Sequence, residues 1–232
     1  MISTVAFDAD DTLWQNERFY HLTKENVADL LRDYCKRDHL EDRLLAAERR
    51  NLSRYGFGIK GFMLSLIETA IEVSDRELPA SIVADILAIG RDMLEHPVEL
   101  LPGAGDTVDR LARTHKLVLV TKGDLFDQER KIAASGLADY FAGIEIVSDK
   151  NRDTYSAVFA RYGETPDKCL MIGNSMKSDV IPAIEAGGWG VYAPHGLTWA
   201  MEHADAPADH PRFREIERID ALPKLLEGLA NV

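Results

Sequence analysis

The chain is 232 residues long and 46% hydrophobic, enough for one large α/β domain or for a core that carries an inserted subdomain. Its 27 basic residues are outnumbered by 39 acidic ones, a formal net charge of −12, which argues against a nucleic-acid partner because such binding leaves a basic patch or stripe. It leaves room for a phosphorylated small molecule, since a metal and lysines can reverse the field locally.

The first element is a short apolar run, Val5-Ala6-Phe7, which predicts a buried strand. It stops at Asp8-Ala9-Asp10-Asp11-Thr12. Buried carboxylates are costly unless a cation or another partner compensates them. Asp8 and Asp10 are therefore candidates for presentation to a metal and a substrate. No signal-peptide pattern precedes the strand, and no apolar stretch approaches the roughly 18 residues of a membrane span, so a cytoplasmic protein without a membrane partner is expected. Cys35 and Cys169 match no metal-ligand spacing and are expected as reduced thiols.

From 18 to 96 the pattern is helical. Phe19, Leu22, Val27, Leu30, Leu31 and Tyr34 follow three- and four-residue spacing. Met63, Leu66, Ile67, Ala70 and Ile71 repeat it, as do Ile82, Val83, Ile86, Leu87, Met93 and Leu94. Pro79 stands where a helix begins, and the stretch Gly56-Phe57-Gly58 with Gly61 predicts a loop of unusual backbone freedom.

After Leu101-Pro102-Gly103 helices alternate with short apolar runs. Helices are expected over 107–112, 125–135 and 155–162, with another spanning 180–185; strands are expected over 117–120, 144–147, 169–172 and 190–192. The segment 203–211 reads as a loop. Alternation of this kind indicates a parallel sheet whose ligands bind outside the carboxyl ends of the strands. Thr121, Lys150, Asn174 and Asp179 each fall just past such a strand, as Asp8 and Asp10 do. The expected architecture is a Rossmann-like core formed by 1–17 and 97–232, with an all-helical insertion over 18–96.

On these residues the chain resembles the haloacid dehalogenase-like (HAD) hydrolase superfamily, in its helical-cap phosphatase branch. Asp8-Ala9-Asp10-Asp11-Thr12 is similar to the first motif of that family, Thr121 to the second, Lys150 to the third, and Gly173-Asn174-Ser175-Met176-Lys177-Ser178-Asp179 to the fourth. The resemblance spans nearly the whole chain. It implies an aspartyl nucleophile, Asp8, and Mg²⁺ held by the Asp8 carboxylate, the Asp10 backbone carbonyl, Asn174 and Asp179. Lys150 would offset phosphate charge, Thr121 would donate hydrogen bonds to the phosphoryl group, and Lys122 would stand beside it in the substrate site. Asp10 would protonate the leaving alcohol and then activate water.

The chain departs from the family's pattern at three points. Asn174 stands where relatives usually carry an acid, although an amide carbonyl also ligates Mg²⁺. Asn151 replaces the proline that usually follows the lysine. Asp11 replaces a common glycine and is expected to accept the turn backbone. Trp14, His195 and Trp199 are expected to pack or to line the rim.

The expected function is Mg²⁺-dependent hydrolysis of a small phosphate monoester through an aspartyl-phosphate. A phosphomutase shares that intermediate and differs in excluding water. A receiver-type phospho-accepting signalling module also combines acids, threonine and lysine, but has half this length and its acceptor on a later strand. A dehalogenase fits less well, because a halide needs no proton from Asp10. The helical insertion is expected to select the substrate, with Phe57 a candidate contact. No residue pattern specifies the ester or an oligomeric state.

Overall fold

The computed structural model describes residues 1–230. Strand β1 (Thr4–Phe7) is buried along its whole length, as an interior parallel strand must be. Four helices follow: α1 (Glu17–Leu30), α2 (Arg37–Tyr55), α3 (Ile59–Val73) and α4 (Ala80–Glu95). The chain then alternates through α5 (Ala104–Ala112), β2 (Lys116–Lys122), α6 (Leu125–Ser135), β3 (Gly143–Val147), α7 (Arg152–Tyr162) and β4 (Cys169–Gly173). A π-helical turn over Met176–Val180 leads into α8 (Ile181–Glu185), then β5 (Trp189–Tyr192), β6 (Phe213–Glu215) and α9 (Leu222–Leu229).

The six strands form one sheet in the order β3-β2-β1-β4-β5-β6, and every pairing is parallel. β1 lies at the point where the winding reverses: Phe7 pairs with Leu119 on one side and with Ile172 on the other. In open α/β sheets the ligand crevice opens at such a switch point, beyond the carboxyl ends of the strands.

The chain divides into two compact units. The first comprises Met1–Glu17, Val98–Lys122 and the chain from Gln128 on. Its sheet is packed on both faces, and the alternation of β1 distributes the residues between them. Val5 and Phe7 join Leu117, Leu119, Leu170 and Ile172 in a core that also takes in Val108 of α5 and Leu226 of α9. Ala6 faces the opposite way, with Val118, Val120, Met171 and the Tyr155 and Phe159 rings of α7. The second unit comprises Arg18–Pro97 with Gly123–Asp127 and is centred on Val27, Leu31, Leu44, Phe62, Leu66 and Ile86. Among the described residues no helix is long and apolar enough to cross a membrane.

The structure revises several boundaries. Gly56 and Gly58 have φ of 70° and 111°, so the loop expected there needs glycine, but Gly61 lies inside α3, packed against Gly56 O. α2 falls within the helical stretch expected over 18–96 but shows no clear apolar spacing, because its sequence is dominated by charge; it buries only the stripe Leu40, Leu44, Ala47, Glu48 and Asn51. The helix expected over 180–185 is preceded by the π turn, where Ser175 Oγ accepts the Ser178 amide at 2.9 Å. Both cysteines are free, Cys169 fully buried.

Candidate active site

The Asp8 amide donates to Ile172 O at 2.9 Å, which fastens the end of β1 to β4. The chain then turns sharply, with Leu13 N donating to Ala9 O at 2.8 Å. Asp11 takes the left-handed conformation (φ 59°), and its carboxylate accepts the amides of Asn16 and Glu17, each at 2.9 Å. Burial outweighs those bonds and the attraction of His195, 3.6 Å away, and pushes the Asp11 carboxyl up to about 6. Thr12 donates its hydroxyl to Asp8 Oδ2 at 2.8 Å and accepts the Asn174 amide at 3.1 Å, so it joins the first motif to the fourth.

Asp8, Lys150 and Asp179 meet in one buried cluster. Lys150 Nζ bonds Asp8 Oδ1 and, at 2.8 Å, Asp179 Oδ1; its side chain is 2% exposed. The other Asp179 oxygen accepts the Ser175 amide at 2.9 Å, and Tyr155 Oη approaches Oδ1 at 3.4 Å while donating to Ser178 O at 3.0 Å. Gly173 is required here, because a Cβ at that position would lie 2.1 Å from Asp179 Oδ2. Asn151 accounts for the missing proline: its Oδ1 accepts the Thr154 amide at 3.0 Å and caps α7. One lysine between two buried carboxylates leaves a net negative charge. Burial, together with the charge of Asp179, prevails over Lys150 and pushes Asp8 up to about 7. Lys150 is itself raised: burial opposes its charge, but the two carboxylates prevail.

A cation is what this arrangement calls for, and the oxygens can receive one. One end of the Asn174 amide lies 3.2 Å from Asp10 O and 3.3 Å from Asp8 Oδ2. With nitrogen at that position, Asn174 donates to both. With oxygen there, its distances to the other two oxygens are close to the roughly 3 Å edge of an octahedron with bonds of about 2.1 Å, the geometry of Mg²⁺. Among the described residues no three His, Cys, Asp or Glu side chains form a ready-made metal cluster. The converging set is a carboxylate, a backbone carbonyl and an amide. Both Asp179 oxygens accept hydrogen bonds, from Lys150 and from Ser175.

The carboxylate of Asp10 is taken up by a separate set of donors. Lys131 Nζ bonds its two oxygens at 2.7 and 2.8 Å, Trp14 Nε1 donates at 2.7 Å and Gln128 Nε2 at 2.9 Å. Burial opposes ionisation, but these donors win and hold the Asp10 carboxyl below its ordinary value. Trp14 is 1% exposed and belongs to the core, so it packs rather than lining a rim. Thr121 is buried on β2, two residues beyond the partner of Phe7. Lys122 Nζ bonds Glu202 Oε1 at 2.5 Å and Ser178 Oγ at 2.7 Å. Thr12, Gln128, Lys131, Tyr155 and Glu202 had no assigned role in the sequence reading. Thr12 stood inside the first motif; the other four carried no local signal, because lysine, glutamine, tyrosine and glutamate are ordinary on helices and turns.

Strand-end acids gathered around a buried lysine on a parallel sheet make up the candidate site. The family model described as haloacid dehalogenase-like hydrolase matches residues 2–187, and the chain belongs to that family. A haloacid dehalogenase-like family hydrolase from Xanthomonas campestris is 41% identical, over 98% of this chain and 91% of that one, with a TM-score of 0.88. Two more distant structures share the fold. A 2-haloacid dehalogenase from Pseudomonas syringae is 21% identical with a TM-score of 0.64, over 99% of this chain and 100% of that one. A predicted phosphoglycolate phosphatase from Haemophilus somnus is 16% identical with a TM-score of 0.65, over 97% and 98%. No curated protein matches the chain.

Proposed function

We propose that this hydrolase is a Mg²⁺-dependent phosphatase acting on a small phosphate monoester, with Asp8 as nucleophile. The observation that carries the reading is the meeting of Asp8 Oδ2, the Asp10 carbonyl and the Asn174 side-chain amide beside the Lys150 pair. A dianionic phosphate repels a carboxylate nucleophile at the reacting centre and needs cations around it, whereas halide displacement from a singly charged haloacid needs less positive charge. Asp8, the Asp10 carbonyl and Asn174 would hold Mg²⁺, which would supply positive charge to offset this repulsion. Asp179 keeps Lys150 in place. Lys150 neutralises the phosphoryl oxygens and Thr121 donates a hydrogen bond to them.

An Asp8 oxygen attacks phosphorus, the ester P–O bond breaks, and the leaving oxygen takes a proton from Asp10. Water, losing its proton to the Asp10 carboxylate, then attacks the phosphorus of the aspartyl-phosphate. Phosphate leaves and Asp8 is restored. The ionised Asp10 described above suits the second half of this cycle. The first half requires that carboxylate to leave Lys131 and carry a proton. Lys122 stands beside Thr121 at the edge of the substrate site, its ammonium engaged with Glu202 and Ser178. A cytoplasmic site of action accords with such metabolite chemistry.

The same Asp10 cradle favours a second reading, a dehalogenase, in which the leaving group needs no proton. Both are tested by following phosphate release from p-nitrophenyl phosphate, with and without Mg²⁺, and chloride release from 2-chloropropionate. Wild type and Asp8→Asn are compared. Metal-dependent phosphate release lost in Asp8→Asn is the expected result; metal-independent chloride release without phosphate release would overturn it in favour of the dehalogenase.

A further inference from the structure

Glu202 has no part in the chemistry above, yet its carboxylate is only 14% exposed and binds three side chains from two other segments. It closes the 3-10 turn Ala200–Glu202 that follows β5. Oε1 accepts Lys122 Nζ at 2.5 Å, and Oε2 accepts the hydroxyls of Ser175 and Ser178, each at 2.5 Å. Those hydroxyls are in turn acceptors: Ser175 Oγ takes the Ser178 amide at 2.9 Å, and Ser178 Oγ takes Lys122 Nζ at 2.7 Å. Burial works to raise the Glu202 carboxyl, but Lys122 and the two hydroxyls outweigh it and keep it ionised.

Each partner adjoins a residue of the proposed site. Lys122 follows Thr121, Ser175 follows Asn174, and Ser178 precedes Asp179. One carboxylate thus fastens the end of β2 to the turn that carries the cation-facing amide. It also offsets a lysine whose charge would otherwise oppose cation binding. Lys177 Nζ donates to Met201 O at 2.9 Å and adds a second tie between the same two segments.

We propose that Glu202 is a positioning residue: it holds the Asn174–Asp179 turn in register with β2 and cancels the charge of Lys122, so that the site retains its affinity for Mg²⁺. The inference rests on the Mg²⁺-dependent reading of the site, and its test reads binding rather than turnover.

Isothermal titration of Mg²⁺ into wild type, Glu202→Gln, Ser178→Ala and the double variant Lys122→Met/Glu202→Gln tests it. Glu202→Gln removes a negative charge from beside the site and loosens the turn, so its Mg²⁺ affinity falls by about tenfold. Orthophosphate, titrated without metal, binds Glu202→Gln no more weakly than wild type, because a negative charge beside the site has been removed. Ser178→Ala shifts the Mg²⁺ affinity in the same direction by about threefold. The double variant, with the charge pair removed, recovers the electrostatic part of the loss and keeps the part, about threefold, that comes from the loosened turn.

A Mg²⁺ affinity in Glu202→Gln within twofold of wild type overturns the inference. So does an equal loss of Mg²⁺ and phosphate affinity with a lowered unfolding temperature, the mark of general loosening. If Glu202→Gln does not fold, an unchanged Mg²⁺ affinity in Ser178→Ala overturns it and the threefold loss upholds it. A wild type that binds no Mg²⁺ also overturns it. Failure of the phosphatase reading looks different: wild type binds Mg²⁺ and releases no phosphate from its esters, while the difference between variants persists.

Discussion

At the end of β1 a single lysine serves two buried carboxylates, and the charge it leaves unanswered governs how Asp8 behaves. In the unfolded chain Asp8 ionises near 4; in the metal-free fold it keeps its proton until about 7. Between those values the folded state binds more protons, so the contribution of Asp8 to stability is fully present below pH 4 and is lost as pH rises to 7. Asp8→Asn does not titrate. Metal-free Asp8→Asn is therefore expected to exceed wild type in urea-unfolding stability by about 1–3 kcal/mol at pH 8, with the gap closing toward pH 4. Asp10 presents the opposite case, an ionised carboxylate whose counter-charge is Lys131. The two side chains are 21% and 10% exposed, so Lys131→Met strands a largely buried anion and should cost about 2–3 kcal/mol in the same measurement. Asp8, Lys150, Asn174 and Asp179 were visible as candidates in the sequence because each follows an apolar run that reads as a strand. Lys131 and Glu202 were not, because what makes them matter is a partner 121 residues away in one case and 80 in the other.

Elements differ in how much of their geometry a local pattern can announce. The core strands were legible because they are short, apolar and bounded by turn residues, and the apolar stripes of α1, α3 and α4 were legible by their spacing. α2 was not, since its buried stripe is thin and partly polar. The π turn at 176–180 was not either, because it depends on the side chain of Ser175 and on the close approach of Asp179 to Gly173. That approach sets a sharp limit on β4. Gly173→Ala would force Asp179 off Lys150, with an expected cost of about 3 kcal/mol and loss of Mg²⁺ binding by calorimetry. Gly228 in α9 is the control: nothing lies within 4 Å of an added Cβ and its φ is ordinary, so Gly228→Ala should stabilise by about 0.5–1 kcal/mol in urea.

For the whole molecule, the net charge of −12 opposes compaction through self-repulsion. Raising NaCl from 20 to 200 mM shortens the Debye length from roughly 20 Å to under 10 Å and should raise the melting temperature by about 2–4 °C by scanning calorimetry, before any specific ion effect. The order of the chain also bears on how the protein is made. Thr4 pairs with Lys116 on one side and with Cys169 on the other, so the strand that bears the nucleophile leaves the ribosome long before either neighbour exists. α1 to α4 emerge in the interval and are rich in local contacts that form quickly. The strand beneath Asp8, apolar and bare on both edges, must wait through that synthesis, exposed to chance pairing with other nascent chains. Its brevity and the acids that end it are the protection it carries while it waits.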